Sequence, residues 1–293
     1  MSSAPSVRVR DLILHGAAYL ESRGVPGARF DAQVLLARTL GVSRSDLLLR
    51  RDAIAPEASR GRYEELLRRR GGRVPLQHLT GVQEFWSLEF EVGPAVLIPR
   101  PETELLVEEA LRRAGGPAPR LADIGTGSGN LAVALARELP SAAVLATDIS
   151  EAALEVARRN AARHGTAERI RFLLGDLARP LEGVVEPGSL DLLLSNPPYV
   201  SETELASLEP EVRDHEPRAA LVPPGGQTWA LYPALLEAAS RYLLPGGHVI
   251  LEISGTGADG VAPLMAGRDG FELVMVRPDY SGLPRVLVAR RRG

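Results

Sequence analysis

"LADIGTGSGNLAVALARELP", Leu121 to Pro140, decides the fold. A short apolar run ends at Ile124, glycines follow at 125, 127 and 129, and apolar residues then return at helical spacing. Glycines allow a tight turn and let backbone approach a ligand closely. A strand, a glycine turn and a helix in this order open a βαβ unit, which takes its ligand at the carboxyl ends of the strands. The pattern repeats outward. "AAVLATD", "IRFLLGD", "LDLLLSN" and "GHVILEIS" are short apolar runs, separated for the most part by helical stretches such as "SEAALEVARRNAARHG". Strands alternating with helices predict a parallel, doubly wound α/β sheet. The final "FELVMVRPDYSGLPRVLVARR" holds two strands with only a turn between them, so they must pair antiparallel and close the sheet as a hairpin.

Upstream the periodicity is helical throughout. "RDLILHGAAYLESRG" and "FDAQVLLARTLG" each stop at a glycine, and "SRSDLLLR" and "RYEELLRRR" extend the series. Residues 1–72 therefore form a small helical bundle. In "QEFWSLEFEVGPAVLIPRP", alternation followed by a Gly-Pro break and "AVLI" predicts a β-hairpin within a linker, residues 73–103. The sheet domain occupies 104–293.

Bulk composition narrows the chemistry. The chain has 293 residues, 45% hydrophobic and 24% charged, enough to bury a core without staples. It has no cysteine and no lysine, which removes disulfides, thiolate ligands, cysteine nucleophiles and any lysine-based step. A net charge of −3 argues against a strongly electrostatic nucleic-acid binder. The arginine clusters at 68–70 and 290–292 are short and are expected to be solvated faces. No stretch reaches the length of a membrane span, and "MSSAPSVRVRD" lacks the apolar core of a secretion signal. A cytoplasmic protein without a metal site is expected.

Asp148 ends the strand after the glycine loop, where an acid can bind ribose hydroxyls. Gly127, Gly129 and Ala132 also fit the dinucleotide spacing G-x-G-x-x-A, so nicotinamide and S-adenosylmethionine (SAM) both remain open on the loop alone. Asp176 ends the third strand on the same edge and could reach an adenine amine, or simply cap a helix.

The fourth strand runs into Asn196-Pro197-Pro198-Tyr199 on that edge. The Asn196 side-chain carbonyl is a fixed acceptor, and the Pro197 carbonyl would be a second if the corner turns inward. Tyr199 offers an aromatic face. Two acceptors and a ring suit an NH₂ group conjugated to a π-system, either a carboxamide or the exocyclic amine of a base. Such a nitrogen is a poor nucleophile with nothing to gain from a general base acting first; what it needs is orientation toward an electrophile. The methyl of a sulfonium is the matching electrophile, and this favours SAM over nicotinamide.

"SNPPYV" after "DIGTGSGN" and "ATDIS", with "PLQHLTG", "VLIPRPETE", "HEPRAALVPPGG" and "LEIS", resembles the bacterial release factor glutamine methyltransferase (HemK) family over nearly the whole chain. The resemblance implies methyl transfer from SAM to the glutamine nitrogen of the Gly-Gly-Gln motif in class 1 peptide chain release factors. It also implies that Gly125, Thr126, Gly127, Ser128, Gly129, Asp148, Leu177 and Asn196 bind the cofactor, alongside Asp176. Arg100, Pro101, Glu102 and Thr103 would wall the methionine end of SAM. Asn196, Pro197, Pro198 and Tyr199 would hold the substrate glutamine, with Asn196, Pro197 and Tyr199 as the catalytic set. The bundle would help dock the factor, and a monomer is expected. The chain departs from the family pattern at Gln227-Thr228-Trp229 and at Ser254 and Gly257, which bears on docking rather than on chemistry.

Rival readings are a glutamine methyltransferase acting on a ribosomal protein, a nucleic-acid adenine methyltransferase, a non-enzymatic translation-factor binder and, on the glycine loop alone, a dehydrogenase. The "PRPETE" segment separates the first, the absent basic footprint the second. The intact set of motifs speaks against the third.

Overall fold

The computed structural model describes residues 7–255, 260 and 270–293, so Gly257 lies outside the described residues. The chain divides into two compact units, Met1–Gly81 with Glu209–His215, and Val82–Leu208 with Glu216–Gly293.

The first unit is helical: α1 (Val9–Ser22), α2 (Ala28–Leu40), α3 (Arg44–Leu49), α4 (Glu57–Gly71) and α5 (Leu76–Thr80). Gly24 and Gly41 sit just past α1 and α2 with φ of +68° and +66°, the left-handed conformation that ends helices. Ser43 caps α3 by accepting from the Asp46 N–H at 3.0 Å. Leu20, Leu35, Leu36, Leu47 and Tyr63 form the core. The Tyr63 hydroxyl reaches the Ala32 carbonyl at 3.1 Å and occupies the space a side chain at Gly16 would need.

One expectation is corrected here. Arg70 is not a solvated end of α4 but is 5% exposed. Its Nε donates to Asp31 at 2.6 Å, and its Nη1 donates to Glu211 at 2.8 Å, on the short helix Pro210–His215. Arg73 grips the same Glu211 through both carboxylate oxygens. Burial pushes Asp31 upward against the pull of Arg70, whereas the two arginines hold Glu211 below its ordinary range despite burial. Arg68 and Arg69 are exposed as expected.

The second unit opens with the hairpin β1 (Val82–Phe85) and β2 (Leu88–Glu91). Its turn is Trp86-Ser87, with φ of +54° and +56°, and not the Gly-Pro break; "AVLI" is not a strand. Two positive φ values give the turn the twist that antiparallel strands prefer. Trp86 is held there because its backbone N–H donates to Glu104 at 2.7 Å and its indole N–H to Glu138 at 2.8 Å. Val96 and Ile98 are buried in irregular chain, and Val96 packs on Ala153 and Val156.

The main sheet contains β3 (Arg120–Ile124), β4 (Ala143–Asp148), β5 (Ile170–Leu174), β6 (Leu190–Ser195), β7 (Leu243–Glu252), β8 (Phe271–Pro278) and β9 (Pro284–Arg291). Among the described residues its order is β5-β4-β3-β6-β7-β9-β8. The first five are parallel, and β9 runs antiparallel to both β7 and β8. Leu192 and Leu194 face one core with α6 (Glu104–Arg113) and α7 (Asn130–Glu138). Leu193 faces the other core, with helix Tyr232–Tyr242. Burial on both faces explains why "LDLLLS" reads as a continuous apolar run. α8 (Glu151–Arg163) follows β4. The strand order reverses beside β3, and the crevice at that switch point is where such sheets bind ligands.

Candidate active site

The carboxyl ends of β3, β4 and β6 open onto a cavity of about 710 Å³. That volume lies within the range of about 300–1,000 Å³ typical of small-molecule sites. The glycine loop forms its floor. Gly125, Gly127 and Gly129 have φ of +76°, +56° and +80°. A Cβ on Gly125 or Gly127 would meet no protein atom within 4 Å, whereas on Gly129 it would lie 3.0 Å from the Ala157 Cβ. The first two glycines thus keep the cavity open, and the third lets α7 pack against α8. The buried Ser128 hydroxyl has no hydrogen-bond partner among the described residues.

Acidic groups hold the loop. Asp123 accepts from the Thr126 hydroxyl at 2.7 Å, and burial pushes its carboxyl up to about 7 against that bond. Asp148 accepts from the Gly127 N–H and the Ser150 N–H, both at 2.9 Å. Burial raises Asp148 too, opposed by those N–H groups. Each carboxylate oxygen retains acceptor capacity for a ligand hydroxyl. Asp176 lies at the cavity with its side chain 48% exposed, and Leu177 follows with φ of +47°. The Leu177 carbonyl takes the Thr147 hydroxyl at 2.8 Å, which fixes this unusual backbone.

The opposite wall runs from Ala95 to Thr103. Arg100 donates to Glu216 at 2.5 Å, and the same carboxylate accepts from the Ile98 N–H at 3.2 Å. Burial raises Glu216, with Arg100 opposing. This carboxylate, from "HEPR", pins the wall segment, a role that residue type alone does not disclose. Thr103 is 2% exposed; its hydroxyl donates to Glu252 at 2.7 Å and accepts from the Asn196 Nδ2 at 3.1 Å. Tyr199 donates to the other oxygen of Glu252 at 2.9 Å. Burial pushes the Tyr199 phenol well up, reinforced by the Glu252 charge. Glu252 is itself raised by burial, with Thr103, Tyr199 and Arg285 opposing.

Of the expected cofactor residues, Arg100, Thr103, Gly125, Thr126, Gly127, Ser128, Asp148, Asp176, Leu177 and Asn196 line the cavity, and Gly129 does not. Of the expected substrate corner, Asn196 and Pro198 line it. Pro197 is buried behind it, and the Tyr199 hydroxyl turns to Glu252. Glu252 itself went unassigned. A charge interrupting the apolar run "VILEI" is its signal, since a buried carboxylate needs partners. The departure at Trp229 packs at 4.8 Å on Tyr232, and Ser254 is 8% exposed.

The residues fit SAM: open glycines, an unpartnered hydroxyl and a strand-end acid suit a ribose and an amino-acid moiety. Two family models match the chain, the PrmC N-terminal domain over residues 11–81 and the methyltransferase small domain over residues 101–213. The chain is similar to proteins named release factor glutamine methyltransferase. That of Nitratidesulfovibrio vulgaris is 41% identical over 99% of this chain and 97% of its own length. That of Geobacter sulfurreducens is 41% identical over 99% of each, and that of Moorella thermoacetica 43% over 93% and 95%. Among solved structures, a methyltransferase from Pyrococcus furiosus aligns with a TM-score of 0.51 and 23% identity over 70% of this chain and 90% of that one. The hMettl16 catalytic domain aligns at 0.55 and 14% over 74% and 80%. These two likenesses concern the fold alone.

Proposed function

Since the chain belongs to the release factor glutamine methyltransferase family, we propose that it uses SAM to methylate the side-chain nitrogen of the glutamine in the Gly-Gly-Gln motif of class 1 release factors. The observation that carries this reading is the placement of Asn196 on the wall of the cavity floored by the glycine loop.

Bound SAM supplies a methyl group on a sulfonium sulfur. The glycine loop and Asp148 would hold the nucleoside end, and Arg100 and Thr103 would enclose the amino-acid end. The Asn196 Oδ1 would accept one hydrogen of the substrate carboxamide, and the Pro197 carbonyl, which does not line the cavity, would have to turn inward to accept the other. Accepting both raises electron density on nitrogen and turns its lone pair toward the electrophile. Alignment then supplies much of the rate. Once methylated, the nitrogen would lose one hydrogen as a proton to water, while the leaving thioether keeps the electron pair of the broken carbon–sulfur bond. Pro198 walls the pocket and Tyr199 stiffens the corner.

The helical segment 1–72 would dock the release factor, 73–103 would link it, and 104–293 would carry the chemistry. The enzyme would act as a cytoplasmic monomer, without contacting nucleic acid. Among the described residues no helix is long and apolar enough to cross a membrane.

Incubation with SAM and a release factor, followed by mass spectrometry, should locate one added methyl on the motif glutamine. A methylated adenine, or a modified ribosomal protein beside an untouched release factor, would overturn the proposal. Asn196→Ala should abolish turnover while keeping SAM affinity within about tenfold; unchanged turnover would remove the acceptor role.

A further inference from the structure

Glu252 closes β7, is 1% exposed and does not line the cavity. Its backbone carbonyl is held by the Tyr232 hydroxyl at 2.8 Å. Its side chain takes two hydroxyls and no other hydrogen-bond donor among the described residues: Thr103 on Oε2 at 2.7 Å and Tyr199 on Oε1 at 2.9 Å. With Glu252 ionised, the state that the Thr103 and Tyr199 hydroxyls and the Arg285 charge favour against burial, the carboxylate can only accept, and each hydroxyl has a single hydrogen. Both hydrogens are therefore committed to Glu252.

The commitment propagates in one direction. The Thr103 oxygen can now only accept, so the atom of Asn196 that faces it at 3.1 Å must be the NH₂. Oxygen and nitrogen of an asparagine amide look alike in outline, and only the hydrogen-bond network distinguishes them. On the other branch, Arg285 faces the Tyr199 oxygen at 3.4 Å, and arginine can only donate. Asp279 holds the guanidinium through its Nη2 and Nε at 3.0 and 3.2 Å. Tyr199 is thereby a fixed donor to Glu252.

We infer that Glu252 is a positioning residue that sets the polarity of the methyl-transfer site: through Thr103 it turns the Asn196 amide so that Oδ1, not NH₂, faces the substrate nitrogen. With the amide reversed, an N–H would confront the substrate NH₂, and the acceptor would be gone. The inference rests on the reading of Asn196 as the substrate's acceptor.

Polarity can be inverted without changing shape. In Glu252→Gln, Tyr199 remains a donor because Arg285 pins it, so the new amide must present its oxygen to Tyr199 and its NH₂ to Thr103. The Thr103 hydrogen then turns to Asn196 and reverses it. Asn196→Asp alone sets a second carboxylate against a Thr103 oxygen that has no hydrogen left to give. Combined, the two changes agree: the glutamine amide donates to Thr103, Thr103 donates to the carboxylate introduced at 196, and that carboxylate's other oxygen accepts from the substrate.

The test compares kcat and KM of Glu252→Gln, Asn196→Asp and the double variant on a release factor. SAM affinity and thermal unfolding are measured beside them. Each single variant should lose about a hundredfold or more in kcat, the scale of a misoriented reacting group, with the SAM Kd of Glu252→Gln within threefold. The double variant should recover at least tenfold over either single one. A double variant no better than the singles would overturn the inference, as would Glu252→Gln turning over within threefold of wild type while Asn196→Ala is inactive. Activity surviving in Asn196→Ala would instead remove the acceptor reading on which the inference stands.

A second readout decides the matter should Glu252→Gln fail to fold. The chain contains three asparagines, at 130, 160 and 196, so their side-chain NH₂ signals are assignable by selective ¹⁵N labelling. Thr103→Val should cost the Asn196 NH₂ its protection from exchange and lower kcat more than tenfold. Thr103→Ser, which keeps the hydroxyl, should restore both. Equal protection and equal kcat in the two variants would overturn the relay.

Discussion

Alanine at Gly127 and at Gly129 should fail in opposite ways. Both glycines lie at left-handed φ, +56° and +80°, where an L side chain costs about 1–2 kcal/mol. At Gly129 the added Cβ would also sit 3.0 Å from the Cβ and 3.2 Å from the Cα of Ala157. Carbon pairs prefer about 3.5–4.0 Å, and overpacking of this kind costs roughly 1–3 kcal/mol. Gly129→Ala should therefore destabilise by about 2–5 kcal/mol in total, with SAM affinity preserved in the molecules that remain folded. At Gly127 the Cβ meets no protein atom within 4 Å, so the folding penalty is the backbone cost alone. That Cβ projects into space the proposed cofactor would fill. An overlap worth about 1–3 kcal/mol weakens binding roughly five- to 150-fold. Urea unfolding without ligand measures the first effect, and calorimetric titration with SAM the second. The reasoning fails if Gly129→Ala loses more SAM affinity than Gly127→Ala, or if Gly127→Ala is the less stable of the two.

Other consequences can be checked by unfolding alone. Burial raises Asp123 to about 7 from an ordinary 3.8, so the folded state holds this proton more tightly than the unfolded chain. The Asp123 contribution is thus greatest below about pH 4, shrinks as pH rises and is gone above about pH 7. Relative to wild type, Asp123→Asn should become more stable by on the order of a few kcal/mol between pH 4 and 8, as measured by urea unfolding; parallel profiles would refute the burial argument. Removing Asp31 alone, as Asp31→Ala, leaves the buried Arg70 only Glu211 as a carboxylate partner and should cost about 1–3 kcal/mol. Asp31→Leu with Arg70→Met should cost less than the sum of the two single changes, because no uncompensated charge remains. Ser87→Val should lower the unfolding temperature, since a β-branched residue at φ of +56° is strained by about 1–3 kcal/mol, while Ser87→Gly should not.

The elements that local chemistry specifies were legible in the sequence. Helical spacing with a terminal glycine placed α1 and α2, because a stop at Gly24 or Gly41 depends on φ at one residue. The doubly buried run "LDLLLS" marked a sheet strand, and the strand-turn-helix of 121–140 placed the ligand edge. Where two codes competed, reading failed. Gly93-Pro94 has the composition of a turn, yet the hairpin turns at Trp86-Ser87, because Glu104 and Glu138 hold a tryptophan in a conformation it would not choose locally. Arg70 sits in a run of arginines that looks solvated, but Asp31 and Glu211 bury it from 39 and 141 positions away.

The sequence by itself determined that an amide, two prolines and a phenol would stand at the carboxyl end of a strand, on the edge that carries a glycine loop, because residue type and the alternation of strands with helices are read along the chain. Which way that amide faces was decided only by the tertiary structure. Its orientation follows from one carboxylate shared between Thr103 and Tyr199, residues 149 and 53 positions away from it. A hydrogen bond has a direction, and that direction passes from group to group only where the fold brings donors and acceptors together. No spacing along the chain records it.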